Sequence, residues 1–352
     1  MANVTRGVAR SLRFAACFAL LTLPSSLEAV QPTNLAPFGT ATGSTASFGS
    51  SMTDGIDGNR DGNFNSGSVW HSPDPNAGPL PFYQIDLGST NYLDRVQLFP
   101  RTDARQQSLR NFRISVFADN GGVPGAALYT EDFFTTGTRA ADTAANRGWA
   151  TRVGGVQGRF VRFEKLDAAP VFATFAEMEV WGATTLLPQN LSLGATITAS
   201  EAAGFSTSLA TINDGILNSD YGYNNGYIYH SATMGVGRMV TLSLASVSTL
   251  DYIQLFARGE AYTMQNVRVK VLDAANGVLS SQDVFIPNGN TGYDFQLNFP
   301  GLANAKSVTL ETIGNEFLAL GEVGVFGTPV PEPGSVGLLA AAGLGLLRRR
   351  RK

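Results

Sequence analysis

The 352-residue chain contains only two histidines, His71 and His230, and they occupy matching places in an internal repeat. Each closes a turn-rich stretch: Gly67-Ser68-Val69-Trp70-His71-Ser72 in one copy and Gly226-Tyr227-Ile228-Tyr229-His230-Ser231 in the other. Each precedes a run that aligns without gaps, Phe82 to Asp103 against Met239 to Glu260. These runs end in Arg101-x-Asp103 and Arg258-x-Glu260. Residues two apart on an extended strand face the same side, so each carboxylate is placed to hold its guanidinium. Imidazole and guanidinium together offer directional hydrogen bonds to hydroxyl groups, a chemistry suited to sugars. The plainer alternative is a surface ion pair beside a partly buried histidine, inherited by both copies.

A second candidate is the segment from Asp54 to Asn63, dense in oxygen donors. Asp57, Asn59 and Asp61 with Gly62 match the opening of an EF-hand loop, but its twelfth position is Ser68 rather than Glu and no helical pattern flanks it. The residues leave two readings open: a calcium site of other geometry, or a cluster of Asx and Gly turns. Catalysis finds little support. No nucleophile elbow, Walker loop or dinucleotide-binding glycine pattern is present, and Glu177 and Glu179 alone are a weak glycosidase signal. The expectation is a non-enzyme.

The elements that must carry these groups are short strands. Phe112, Ile114 and Val116 alternate with Arg113, Ser115 and Phe117, and Val267, Val269 and Val271 with Arg268, Lys270 and Leu272. With 15% charged residues, 39 glycines and no helical period, the pattern predicts antiparallel sandwiches. The expected fold is all-β, two tandem antiparallel β-sandwiches of jelly-roll type. The modules span 34–182 and 190–327, open on Asn34-Leu35-Ala36 and Asn190-Leu191-Ser192, and are joined by a linker over 183–189.

Both ends look like processing segments. Residues 1–29 carry Arg6, Arg10 and Arg13, then an apolar run too short to span a bilayer, and predict a secretory signal peptide. The one cysteine, Cys17, lies within it, so a mature protein has no disulfide. Residues 328–352 carry Pro331-Glu332-Pro333, a short apolar run and Arg348-Arg349-Arg350-Arg351-Lys352. That order resembles the PEP-CTERM sorting signal of Gram-negative bacteria, which implies an exosortase as processing partner. It predicts membrane contact only through this tail, as a transient or permanent anchor or short transmembrane helix. A net charge of -3 without basic–aromatic interleaving argues against nucleic acid.

The first module resembles the discoidin-type (coagulation factor C-type) galactose-binding-like family, in its fucolectin–tachylectin–pentraxin branch. The resembling stretches are Asn34 to Ser47, Asp54 to Ser72, Phe82 to Asp103, Leu109 to Asp119 and Phe175 to Gly182. The resemblance implies a fucose-type lectin with structural Ca2+. By position it implies calcium ligands at Asp54 (carbonyl), Asp57, Asn59, Ser68, Ala176 (carbonyl) and Glu177, and sugar-binding residues at His71, Arg101 and Asp103. The family's second basic residue falls on Ser108, with Arg105 and Arg110 nearby, and its adjacent cysteines fall on Ala104-Arg105. His230, Arg258 and Glu260 repeat the sugar-site residues in the second module, where Asp214 and Glu322 persist from the ion site. The expectation is an exported, calcium-dependent carbohydrate-binding protein of the Gram-negative envelope, cell surface or exopolysaccharide matrix. The alternative is a structural or adhesion protein that keeps the scaffold without binding sugar.

Overall fold

The computed structural model describes residues 30–73, 79–103, 109, 111–133, 149–166, 172–217, 228–257, 266–285 and 294–331. Among these residues the fold is all-β, with helical turns limited to short 3-10 segments. The first half holds β1 (Thr33–Asn34), β2 (Thr40–Gly43), β3 (Trp70–His71), β4 (Phe82–Pro100), β5 (Phe112–Asp119), β6 (Pro124–Phe133), β7 (Trp149–Lys165) and β8 (Thr174–Ala183). The second half holds β9 (Gln189–Asn190), β10 (Thr196–Ala199), β11 (Tyr229–His230), β12 (Met239–Ala257), β13 (Asn266–Leu272), β14 (Val278–Phe285), β15 (Asp294–Thr312) and β16 (Ala319–Pro329). Each half forms one eight-stranded antiparallel sheet. The first runs β1-β8-β4-β7-β5-β6, with β2 on β4 and β3 on β8. The second repeats the same neighbours: β16 stands for β8, β12 for β4, β15 for β7, and β13 and β14 for β5 and β6.

Long strands with bulges let one sheet fold over its own core. β4 slips register against β7 between Asp86 and Asn91 and between Leu93 and Arg95, and β12 slips three times between Ser243 and Tyr252. Bulges bend and twist a strand locally, which turns each sheet into a sandwich. The cores follow the period-two pattern: Phe112, Ile114 and Val116 are buried with Trp70, Tyr83, Phe163 and Phe175, while Val267, Val269 and Val271 are buried with Leu255, Leu310 and Val325.

Alternation fails informatively in β4, β8, β12 and β16, where both faces are buried. Val96 and Leu98 fill the first core, whereas Asp94, Arg95 and Gln97 are buried outside it. Tyr252, Gln254 and Phe326 are likewise buried in the second half. Equivalent faces of the two modules meet there in a seam. Asp94 accepts hydrogen bonds from Arg95 Nη1 (2.8 Å), Arg152 Nη1 (2.7 Å) and, across the seam, Gln254 Nε2 (3.3 Å). Arg152 reaches across to Gln254 Oε1 (3.3 Å) and lies 5.0 Å above the Phe326 ring. It passes Gly324, the counterpart of Glu179, where an added Cβ would stand 3.1 Å from Nη2. Burial alone would raise the Asp94 carboxyl, but Arg152 and Arg95 outweigh it and hold the group below the ordinary carboxylate value.

Candidate functional site

His71 ends β3 at the rim of the first sandwich and is 5% exposed. Its Nδ1 bonds the Ser72 carbonyl (2.8 Å). A carbonyl only accepts, so Nδ1–H donates, and in the neutral ring Nε2 becomes the acceptor. Three rings surround it: Phe48 at 4.6 Å, Phe172 at 4.9 Å and Phe64 at 5.7 Å between centroids. Phe48 is 61% exposed and holds a left-handed backbone conformation, φ 60°, which a bulky side chain rarely adopts. Ser50 Oγ accepts from the His71 N–H (3.1 Å) and fixes the strand end.

Phe64 joins the histidine to the cation. The Arg101 guanidinium lies 4.3 Å over the Phe64 ring while Phe64 also faces His71 edge-on. Asp103 grips Arg101 through Nε and, at 3.0 Å, through Nη2, and its Oδ2 accepts the Phe64 N–H (3.2 Å). The Arg101 hydrogen bond holds the Asp103 carboxyl below its usual range. Beneath, Phe64 packs on Val69, Phe99 and Ala176. Gly62 makes this junction possible: its carbonyl accepts from Thr102 N (2.8 Å), and a Cβ there would meet the Pro100 carbonyl at 2.5 Å. His71 and Arg101 thus both pack on Phe64, and Asp103 holds Arg101 beside it. Arg105 and Arg110 lie outside the described residues.

The loop from Asp57 to Asn65 is a ladder of Asx turns. Asp57, Asn59, Asp61 and Asn63 each accept the N–H two residues on, at 2.8–3.1 Å. The ladder curls over Glu177, whose Oε1 accepts from Gly58 N (3.3 Å). The side chain is fully buried, and Oε2 has no hydrogen-bond partner. Burial, then the charges of Glu179 and Asp57, push its carboxyl up to about 8. Ser68 Oγ donates to Asp57 Oδ2 (2.8 Å) and lies 3.4 Å from the Asn59 carbonyl. The Asp54 carboxylate turns away to cap Ser51 (2.8 Å to N), so any inward donor from Asp54 is its carbonyl. Among the described residues no three His, Cys, Asp or Glu side chains gather as a metal cluster. The donor set is instead oxygen-only, mixing the Asp57 and Glu177 carboxylates with hydroxyl, amide and carbonyl groups. Such a set suits a hard cation and not zinc.

The second module repeats the histidine environment. His230 Nδ1 bonds the Ser231 carbonyl (2.8 Å), and Phe205 and Phe317 stand 4.6 and 4.7 Å away. Phe205 also holds a left-handed conformation, φ 53°. Arg258 and Glu260 fall outside the described residues. Glu322 mirrors Glu177: it is fully buried, takes Gly215 N–H at 3.4 Å and leaves Oε1 without a partner. Burial lifts its carboxyl to about 8 against the pull of Arg152, with Asp214 adding to the rise. Sequence reasoning missed Phe48, Phe64 and Phe172, although repeat alignment pairs Phe48 with Phe205 and Phe172 with Phe317.

Residues 54–163 match the family model described as NedA-like, galactose-binding domain, of the F5/F8 type C group. Residues 329–352 match the PEP-CTERM protein-sorting motif. Solved structures that match this chain include a fucolectin from striped bass serum (Morone saxatilis), at 19% identity and TM-score 0.37, over 86% of this chain and 100% of that one. They also include a fucose binding module from Streptococcus pneumoniae (25% identity, TM-score 0.36, 43% of this chain and 95% of that one). A third is the family 32 carbohydrate-binding module of Clostridium perfringens NanJ in complex with galactose (16%, 0.34, 43% and 98%). No curated protein matches the sequence. No helix among the described residues is long and apolar enough to cross a membrane. The segments 1–29 and 332–352 lie outside the described residues.

Proposed function

We propose that the chain is an exported carbohydrate-binding protein whose first galactose-binding-like module takes a sugar in the Phe48–Phe64–His71–Arg101 recess. One observation carries this reading: the Phe64 ring touches both His71 (5.7 Å) and the Arg101 guanidinium (4.3 Å), gathering ring, acceptor and donors at one rim. A sugar presents an apolar C–H face and a polar edge. The aromatic rings meet the first, while Arg101 donates to hydroxyls and His71 lines the edge of the ring cluster. Asp103 holds the guanidinium in place, so less side-chain freedom is lost on binding. A calcium ion, held by Asp57 and Glu177 carboxylates with Asn59, Ser68 and the Asp54 and Ala176 carbonyls, supports the loop that carries Phe64. The orphaned Glu177 Oε2 supports that assignment, because a buried carboxylate without a partner is costly unless a cation balances it. The sorting motif supports delivery to the envelope with an exosortase as processing partner, and an extracellular polysaccharide as the glycan source.

The test is a glycan array probed with the secreted chain and with Arg101→Ala and Phe64→Ala proteins. The reading expects a sugar signal that each substitution reduces at least tenfold, or about 1.4 kcal/mol. Absence of any signal leaves the adhesion-scaffold alternative standing.

A further inference from the structure

Glu177 and Glu322 are buried at equivalent places but have opposite electrical neighbours. On an extended strand the position two residues on shares a glutamate's face: Glu179 on β8 and Gly324 on β16, both in regular register with the next strand. In the first module Glu179 stands there, bound by Arg60 at 2.6 and 2.8 Å, and after burial it is the strongest influence raising the Glu177 carboxyl. In the second module that side chain is missing and a guanidinium takes its place. Arg152 of β7 comes across the seam until its Nη2 lies 3.1 Å from where a Gly324 Cβ would be. It is the largest charge acting on Glu322 and pulls that carboxyl down, where Glu179 pushes its counterpart up. Both groups keep capacity to interact. Arg152 Nε and Glu322 Oε1 are buried without a hydrogen-bond partner, and the Asp94 carboxylate that binds Arg152 is shared with Arg95.

The oxygen donors differ as well. Asp214-Gly215-Ile216 makes the hydrogen bonds of Asp57-Gly58-Asn59. Each aspartate accepts the N–H two residues on at 2.8 Å, and each glycine N–H donates to the buried glutamate, at 3.4 and 3.3 Å. Ile216, 43% exposed, therefore stands where Asn59 offers an amide oxygen. The second module keeps two carboxylates of the proposed calcium set, loses the amide and gains a guanidinium, so its residues do not fit the ion. We infer that Arg152 of the first module is the resident counter-cation of Glu322, and that the second module takes no divalent ion while that arginine is in place. An ion entering there meets a buried fixed charge of its own sign. The second loop is thus held by a group the chain itself supplies, and calcium removal loosens the first module alone.

The test counts calcium ions by isothermal titration calorimetry on the full secreted chain, stripped with EDTA and dialysed. The wild-type count rests on the ion assigned to the first module: a single ion per chain, lost in Glu177→Gln and retained in Glu322→Gln. Arg152→Gln removes the charge but keeps a hydrogen-bonding group for Asp94 and Gln254. It gains a second ion, which Glu322→Gln in the same chain removes again. Arg152→Lys keeps the charge and the wild-type count. A second ion in the wild type that Glu322→Gln abolishes overturns the inference, as does an Arg152→Gln chain with a wild-type circular dichroism spectrum and no added ion. Should Arg152→Gln fail to fold, the Glu322→Gln count against wild type decides. No ion in the wild type removes calcium from the first module, and the Arg152→Gln gain then decides the inference by itself: present, it stands; absent, it falls.

Discussion

Replacing Asp94 by Asn tests whether the two modules behave as one body. The carboxylate is almost fully buried and serves Arg95, Arg152 and Gln254 at 2.7–3.3 Å. Asn keeps the shape but removes the charge, leaving two guanidinium groups in the seam without their shared counterion. Removing one partner of a buried ion pair costs about 3–5 kcal/mol. At about 2–4 °C per kcal/mol for a unit of 150–250 residues, the melting midpoint falls by roughly 6–20 °C. Differential scanning calorimetry should show a single endotherm in the wild type and two resolved endotherms in the variant, because coupling between the modules is what the substitution removes. An unchanged midpoint and a single unchanged endotherm would refute the argument. The pH dependence carries the same sign. The folded carboxyl lies below the ordinary value, so its stabilisation is present above the unfolded value of about 3.9 and is lost as pH falls through the folded one. Asp86, Asp103 and Asp132 are also held low, so the diagnostic is the part of the acid transition that differs between wild type and Asp94→Asn.

Three further outcomes follow from the site geometry. Calcium at a hundred times its dissociation constant should raise stability by about 2.7 kcal/mol, visible as a melting shift of several degrees against EDTA. Glu177→Gln should abolish that shift, and identical melting with and without EDTA would remove the ion from the account. Phe48→Gly should relieve a left-handed conformation that costs a bulky residue about 1–2 kcal/mol, so stability holds or rises by up to about 1 kcal/mol while glycan affinity falls. A drop in both, by melting and array signal, would make Phe48 a scaffold residue. Phe205→Ala should leave binding of a monovalent glycan unchanged and reduce retention on a glycan-coated surface more than tenfold if the second recess engages with the first. Equal retention by surface plasmon resonance would show that the second copy is silent.

The repeat made the architecture readable. Matching starts and ends, together with alternation in Phe112–Val116 and Val267–Val271, specify paired antiparallel sheets because one buried face per strand leaves a period-two trace. The seam left no such trace. Asp94 and Arg95 look like surface residues in a half-buried strand, and only packing against a second sheet explains why β4 is buried on both sides. Arg101 and Asp103 were visible from their spacing alone. Phe64 was not, because an aromatic residue inside a turn-rich loop has no periodicity to reveal which neighbours it will touch. The Asp57–Asn63 stretch left both its readings open for a physical reason: the same oxygens that close Asx turns on backbone N–H groups retain lone pairs for a cation.

The contact through Arg152 and Asp94 joins halves that already share one covalent chain, so it has no dissociation constant and does not come apart on dilution. A pair of separate lectin subunits loses its spacing once the protein is sparse, whereas here the two rims keep a constant bearing at any concentration. Under the proposed reading, two sugar-binding rims held at a fixed interval would select polymers by repeat length as well as by the identity of any single unit.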